Sequence, residues 1–218
     1  MNPSDHSAVP AIEKYRHLLG PRYATFRLAF DAFERHGGHV VVELGTSRSF
    51  VSGGIAGVGV NDPRYWQPGR PEVWDWGAGL FTRVCAEQLR PLRPEIHTVD
   101  ISRQALEICV VITGDYHDIV QYHLCTSEEF LRWFPGKIDL LYMDAGETGE
   151  GADELHLREA EIVIARDLLT PHAVILVDDV HVPGMTESKG RLSIPYLREQ
   201  GFEILHEDYQ VALQRPQH

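Results

Sequence analysis

The sequence is short of positive charge. Its 20 Lys and Arg stand against 32 Asp and Glu, a formal net charge of -12. So acidic a surface repels phosphate backbones, and nucleic acid is not an expected partner. Long apolar runs are missing too. No stretch approaches the roughly 18 apolar residues that cross a bilayer, so a membrane is not expected as a partner either. The first residues, Met1 to His6, have neither a basic nor an apolar segment, so no secretory signal is expected. Cysteine is scarce. Cys85, Cys109 and Cys125 are an odd number at wide spacing, which makes neither a disulfide framework nor a zinc knuckle. They read as reduced, mostly buried thiols in a cytoplasmic protein. Internal repeats and low-complexity segments are absent. What remains is ordinary: 218 residues, 43% hydrophobic and 24% charged, the composition of one globular domain over 1–218.

Residues 1–10 read as a polar tail. Over 11–36, Tyr23, Phe26, Phe30 and Phe33 recur every three or four residues, a helical period broken near Gly20-Pro21 and ended by Gly37-Gly38. Residues 1–38 therefore form a helical cover. An exposed aromatic stripe on it would favour a homodimer. Apolar runs then alternate with helical segments. Strands are expected at 39–44, 96–100, 119–124, 138–144 and 173–178, and helices at about 78–90, 102–113, 126–134, 152–169 and 189–200. Two closing runs, 202–205 and 209–213, read as a hairpin. The expected fold is α/β: a Rossmann-like, doubly wound, mostly parallel seven-stranded sheet with a C-terminal antiparallel hairpin. Residues 50–76 break the beat. They hold Tyr65, Trp66, Trp74 and Trp76 and read either as a packed insertion or as a lid over a site.

In an open α/β sheet, ligands bind beyond the carboxyl ends of the strands. Acids stand at four of the five ends: Glu43 before Gly45-Thr46-Ser47, Asp100, Asp144 before Glu147, and the pair Asp178-Asp179. The third strand ends near Thr126-Ser127-Glu128. An acid ending the second strand, past a Gly-rich turn, can accept both hydroxyls of a ribose. Gly77 and Gly79 supply that turn for Asp100, and the bland alternative is a helix cap, for which Ser102 competes. A compact GxGxxG is missing, so a nucleoside cofactor without a pyrophosphate is favoured over NAD.

Val42-Glu43-Leu44-Gly45-Thr46-Ser47, Thr98-Val99-Asp100, Asp139 to Asp144 and Ile175 to Asp179, in this order, resemble the class I S-adenosylmethionine-dependent methyltransferases. The likeness is to O-methyltransferases related to catechol O-methyltransferase and to antibiotic-tailoring enzymes, over residues 39–213. It implies S-adenosyl-L-methionine as cofactor, with Gly45, Thr46 and Ser47 at the methionine part, Glu43 shaping that turn, Gly77 nearby, Asp100 on the ribose, Ser127 at the adenine, and Asp144 at both the cofactor and the reacting centre. It also implies a divalent cation, most naturally Mg2+, held by Asp144, Asp178 and Asp179. The expected reaction is methyl transfer to a hydroxyl of a small molecule, an in-line displacement in which a base takes the proton. The catechol branch carries a lysine shortly after the strand-four acid. This chain has Glu147 near that place and no lysine between Lys137 and Lys189. Candidate bases are His181, Glu147 and His156, the last expected on a solvent face. The alternatives are a metal-independent methyltransferase using His181 or Glu147, and an inactive nucleoside-binding module.

Overall fold

The structure is a computed structural model that describes residues 10–48, 66–78, 80–149, 151–186 and 188–216. Seven strands form one sheet: β1 Val40–Leu44, β2 Glu95–Asp100, β3 Val120–Leu124, β4 Ile138–Met143, β5 Leu169–Val177, β6 Glu203–Glu207 and β7 Val211–Gln214. Their spatial order is β3-β2-β1-β4-β5-β7-β6. β1 to β5 are parallel, and β7 runs antiparallel between β5 and β6. This is the expected Rossmann-like sheet with its terminal hairpin. The order reverses between β1 and β4, which sets the crevice where such sheets take ligands.

The helices are α1 Arg16–Leu19, α2 Arg22–Arg35, α3 Phe81–Leu89, α4 Arg103–Ile112, α5 Ser127–Trp133, α6 Ala152–Ala165 and α7 Ser193–Glu199. They cover both sheet faces. Val41, Leu140, Tyr142, Val174 and Leu176 face a core built with Phe26, Phe30 and Phe81. Their strand neighbours Val42, Leu141, Met143 and Ile175 face a second core with Phe130, Val163 and Leu197. The period-two alternation thus divides apolar residues between two buried faces, which is why the strands read as unbroken apolar runs.

Three expectations change. The aromatic stripe on α2 is not exposed: Phe26, Phe30 and Phe33 are all buried in the chain's own core, which removes the argument for a homodimer. α6 ends at Ala165, short of 169. Asp167 adopts a left-handed backbone (φ 50°), and the amides of Asp167 and Leu168 return to Ile164 and Val163, both at 3.0 Å. That paired closure releases the chain into β5 four residues early. Finally, Gly77 lies in a short 3-10 turn, Trp76–Ala78, rather than in the helix that follows. No helix among the described residues is long and apolar enough to cross a membrane.

Candidate functional site

The strand ends are drawn together by backbone bonds. The Gly45 amide donates to Val99 (2.9 Å) and the Asp144 amide to Leu44 (2.8 Å), tying β1, β2 and β4 at their carboxyl ends. Gly45 has φ 86°, and a side chain there would meet the Asp144 carbonyl oxygen at 2.7 Å. Glycine is required by both conformation and space. The next amide, Thr46, donates to Asp100 Oδ2 at 3.1 Å, and the Ser102 amide donates to Oδ1 at 2.7 Å. Ser102 does cap α4, its hydroxyl accepting from Ala105. Asp100 is therefore free of that duty and is held rigidly at the opening between two hollows.

The larger hollow, about 500 Å3, is lined by Gly45, Thr46, Gly77, Asp100, Asp144, Glu147 and Asp179, joined by Arg22, Arg48 and Lys189. The smaller, about 340 Å3, lies between Val99, Asp100, Ile101, Ser127, Gly146 and Leu155. Val99, Ile101 and Leu155 give it apolar walls, and Asp100 and Ser127 add polar groups. Ser127 opens α5, whose start is closed by a capping box of Thr126 and Glu129. Glu43 lines neither hollow. It is buried beneath the turn, accepts a hydrogen bond from Thr82, and is pushed up to about 8 by burial. Ser47 is also buried and lines neither hollow.

The three expected cation ligands do converge. One oxygen from each of Asp144, Asp178 and Asp179 lies within 4.8 Å of the others. The sequence reading missed their partners. Arg22, at the start of α2, donates to both oxygens of Asp178 (3.2 and 3.1 Å) and reaches Asp179 at 3.4 Å. Lys189, only 3% exposed, pairs with Asp144 at 2.7 Å and Asp179 at 3.1 Å. Asp178 further accepts from Tyr142 (2.6 Å), Gln210 (2.9 Å) and the Asp179 amide (2.8 Å). Asp179 accepts from Tyr209 (2.5 Å) and Thr148 (2.8 Å), and its own backbone is left-handed (φ 50°), a strained setting that aspartate tolerates better than most residues. These bonds account for every carboxylate oxygen of Asp178 and Asp179. A divalent cation would have to displace them, so the residues present fit the expected ion poorly.

The charges follow this wiring. Burial and the nearby Asp178 push Asp144 up to about 7, with Lys189 opposing. Burial would raise Asp179 too, but Lys189, Tyr209 and Thr148 pull it down to about 2. Lys189 is itself held above its usual range: burial works against its charge, but Asp144 and Asp179 outweigh it.

The other candidate bases separate. Glu147 stands exposed at the cavity mouth, paired with Arg48. His181 pairs with Glu207 at 3.0 Å, is exposed, and lines neither hollow. His156 is not on a solvent face. It is fully buried, and its Nε2 donates to the Ala145 carbonyl at 3.0 Å, bracing the loop after β4 from behind. Burial pushes it down to about 4, so it is neutral. Of the segment expected as a lid, 50–65, including Tyr65, lies outside the described residues. Gly79 lies outside them too. Trp66, Trp74 and Trp76 stack in series (4.6 and 5.5 Å), and Trp74 and Trp76 pack on Tyr15 of the N-terminal cover. The stack of these three tryptophans packs on the N-terminal cover, and the Trp76 carbonyl accepts from Arg22 at 3.4 Å.

Comparison with known proteins bears on this geometry. Residues 76–180 match the family model described as a methyltransferase domain. The match and the fold together support an S-adenosylmethionine-dependent methyltransferase. No curated protein matches the chain by sequence. Among solved structures, the S-adenosylhomocysteine-bound methyltransferase PaMTH1 of Podospora anserina aligns with a TM-score of 0.58 at 13% identity, over 98% of this chain and 91% of its own. An rRNA methylase from Streptococcus thermophilus aligns at 0.53 and 12% identity, over 88% of this chain and 97% of its own. At such identities these neighbours establish the shared fold.

Proposed function

We propose that the protein is an S-adenosylmethionine-dependent O-methyltransferase acting on a hydroxyl of a small molecule. The observation that carries this reading is Asp100, clamped by the amides of Thr46 and Ser102 at the opening between a purine-sized hollow and a polar cavity. The ribose would bridge the two through Asp100, with the adenine beside Ser127 and the methionine end over Gly45 and Thr46. The bound cofactor would supply an electrophilic methyl group and leave as the thioether. In the larger cavity Asp144 would take the proton that the acceptor hydroxyl gives up as its oxygen accepts that methyl. Lys189 keeps that carboxylate aimed into the cavity. Glu147 stands exposed at the mouth beside Arg48, and His181 is exposed and lines neither hollow, so neither stands as well for the proton. A small acceptor suits a cavity of about 500 Å3, and the net charge of -12 speaks against an RNA substrate.

The test is transfer of a labelled methyl group from S-adenosylmethionine to a panel of phenols, catechols and sugar hydroxyls. Asp144→Asn should cut turnover by roughly a hundredfold or more, the usual weight of a proton acceptor, with S-adenosylhomocysteine affinity changed little. Equal turnover by wild type and Asp144→Asn would overturn the assignment of the base. No product from any hydroxyl acceptor would overturn the O-methyl reading.

A further inference from the structure

The acidic cluster carries its own cations. Arg22 bridges Asp178 to Asp179, and Lys189 bridges Asp179 to Asp144. Three carboxylates are thus laced by two side-chain charges, in a chain with only three lysines, Lys14, Lys137 and Lys189. The ammonium of Lys189 donates to Asp144 Oδ1 (2.7 Å) and to the Asp144 carbonyl (3.1 Å), and stands 3.1 Å from Asp179 Oδ2. Those three contacts use its whole donor capacity. Being 3% exposed, it has given up most of its hydration, which only such close anions can offset. The loop that delivers it is fixed as well. The Lys189 amide returns to the Asp179 carbonyl at 3.4 Å, and a side chain on the next residue, Gly190, would collide with Ile194.

A bridging divalent ion would have to stand among these same carboxylates. It would need oxygen lone pairs at roughly 2.0 to 2.6 Å. Here Lys189 spans the gap between Asp144 and Asp179, and Arg22 encloses Asp178, which is fully buried. We infer that Lys189, supported by Arg22, is a built-in substitute for the divalent cation: it cross-links Asp144 to Asp179 and lets the site act without a metal. The inference rests on the methyltransferase reading only for what the cavity does, not for the charge arrangement. It makes Lys189 a positioning residue, acting through Asp144. It also means that removing its charge should expose a latent cation site.

Manganese binding reads this out directly. Wild-type protein and Lys189→Met, both stripped with EDTA, are titrated with Mn2+ while electron paramagnetic resonance follows the free ion. The wild type should bind no Mn2+ at the cluster. Lys189→Met should bind about one equivalent, at Mn2+ concentrations at least about tenfold below any at which the wild type takes up the ion, because a like charge a few ångströms away has been removed. Adding Asp144→Asn to that variant should abolish the new site. One equivalent of Mn2+ bound tightly by the wild type and lost in Asp144→Asn would overturn the proposal. So would a Lys189→Met protein that circular dichroism shows to be folded and that binds none. Lys189→Gln serves if the methionine variant does not fold, and the wild-type titration needs no variant. S-adenosylhomocysteine titrated into the same wild-type sample tests the methyltransferase reading separately. Its failure to bind would sink that reading while leaving the manganese result to decide this one.

Discussion

At the scale of single residues, the site uses buried charge with unequal compensation. Asp178 and Asp179 are met on every oxygen, while Glu43, beneath the Gly45 turn, has only hydroxyl company, from Thr82 and Thr98. Burial therefore lifts Glu43 to about 8. The sign of the consequence can be worked out. Unfolded, the group titrates near 4.5; folded, it keeps its proton until about pH 8. Between those values unfolding releases a proton, so this group's contribution is full at low pH, declines through the window and is gone above it. Glu43→Gln, which keeps the neutral shape, should escape the decline. Relative to wild type, its melting temperature should gain several degrees more at pH 8.5 than at pH 5, corresponding to about 2 kcal/mol or more. Thermal melts at the two pH values check this, and an identical difference at both would contradict it.

Much of this was legible in the sequence. Asp100, Asp144 and Asp178-Asp179 announce themselves as acids ending apolar runs, where burial alone would not place them. Lys189 and Arg22 do not. Lys189 meets Asp144 across 45 residues, and Arg22 meets Asp178 across 156. No local spacing encodes such contacts. His156 was hidden for another reason. The buried stripe of α6 includes Asp153, His156 and Glu159 beside Ala152, Ala160 and Val163, so a polar identity masked a helical period that was there.

At the scale of elements, α2 is both wall and ligand. Its apolar face packs Phe26 and Phe30 against the sheet, while its first residue, Arg22, reaches over the sheet's end to Asp178. The Trp66–Trp74–Trp76 stack fixes the same helix start from the other side, through the Trp76 carbonyl. Losing the guanidinium would leave Asp178 fully buried without its ion-pair partner, a change that typically costs about 3 to 5 kcal/mol. Arg22→Met should therefore lower the melting temperature by roughly ten degrees in a chain of this size. Scanning calorimetry measures this. A change within a degree or two would mean that α2 is not anchored through this contact. The element boundaries that the sequence misplaced belong here too. The end of α6 is set by a left-handed Asp167, a residue that tolerates that conformation but signals it far less plainly than the glycines that end α2.

At the scale of the whole molecule, the sheet order places the reversal point between β1 and β4, and the two hollows and the acidic cluster lie at the carboxyl ends of those strands and their neighbours. The topology carries the function. Parallel strands deliver their carboxyl ends together, the Gly45 turn clears space, and Asp100 lines both hollows of the crevice. The central claim is that this crevice binds a nucleoside thioether through Asp100. Calorimetric titration with S-adenosylhomocysteine tests it most directly. The wild type should bind one equivalent, and Asp100→Ala should bind at least about tenfold more weakly, as expected for losing a charge-assisted hydrogen-bond pair. A wild type that takes up no S-adenosylhomocysteine, or an Asp100→Ala variant that binds it equally well, would contradict the account.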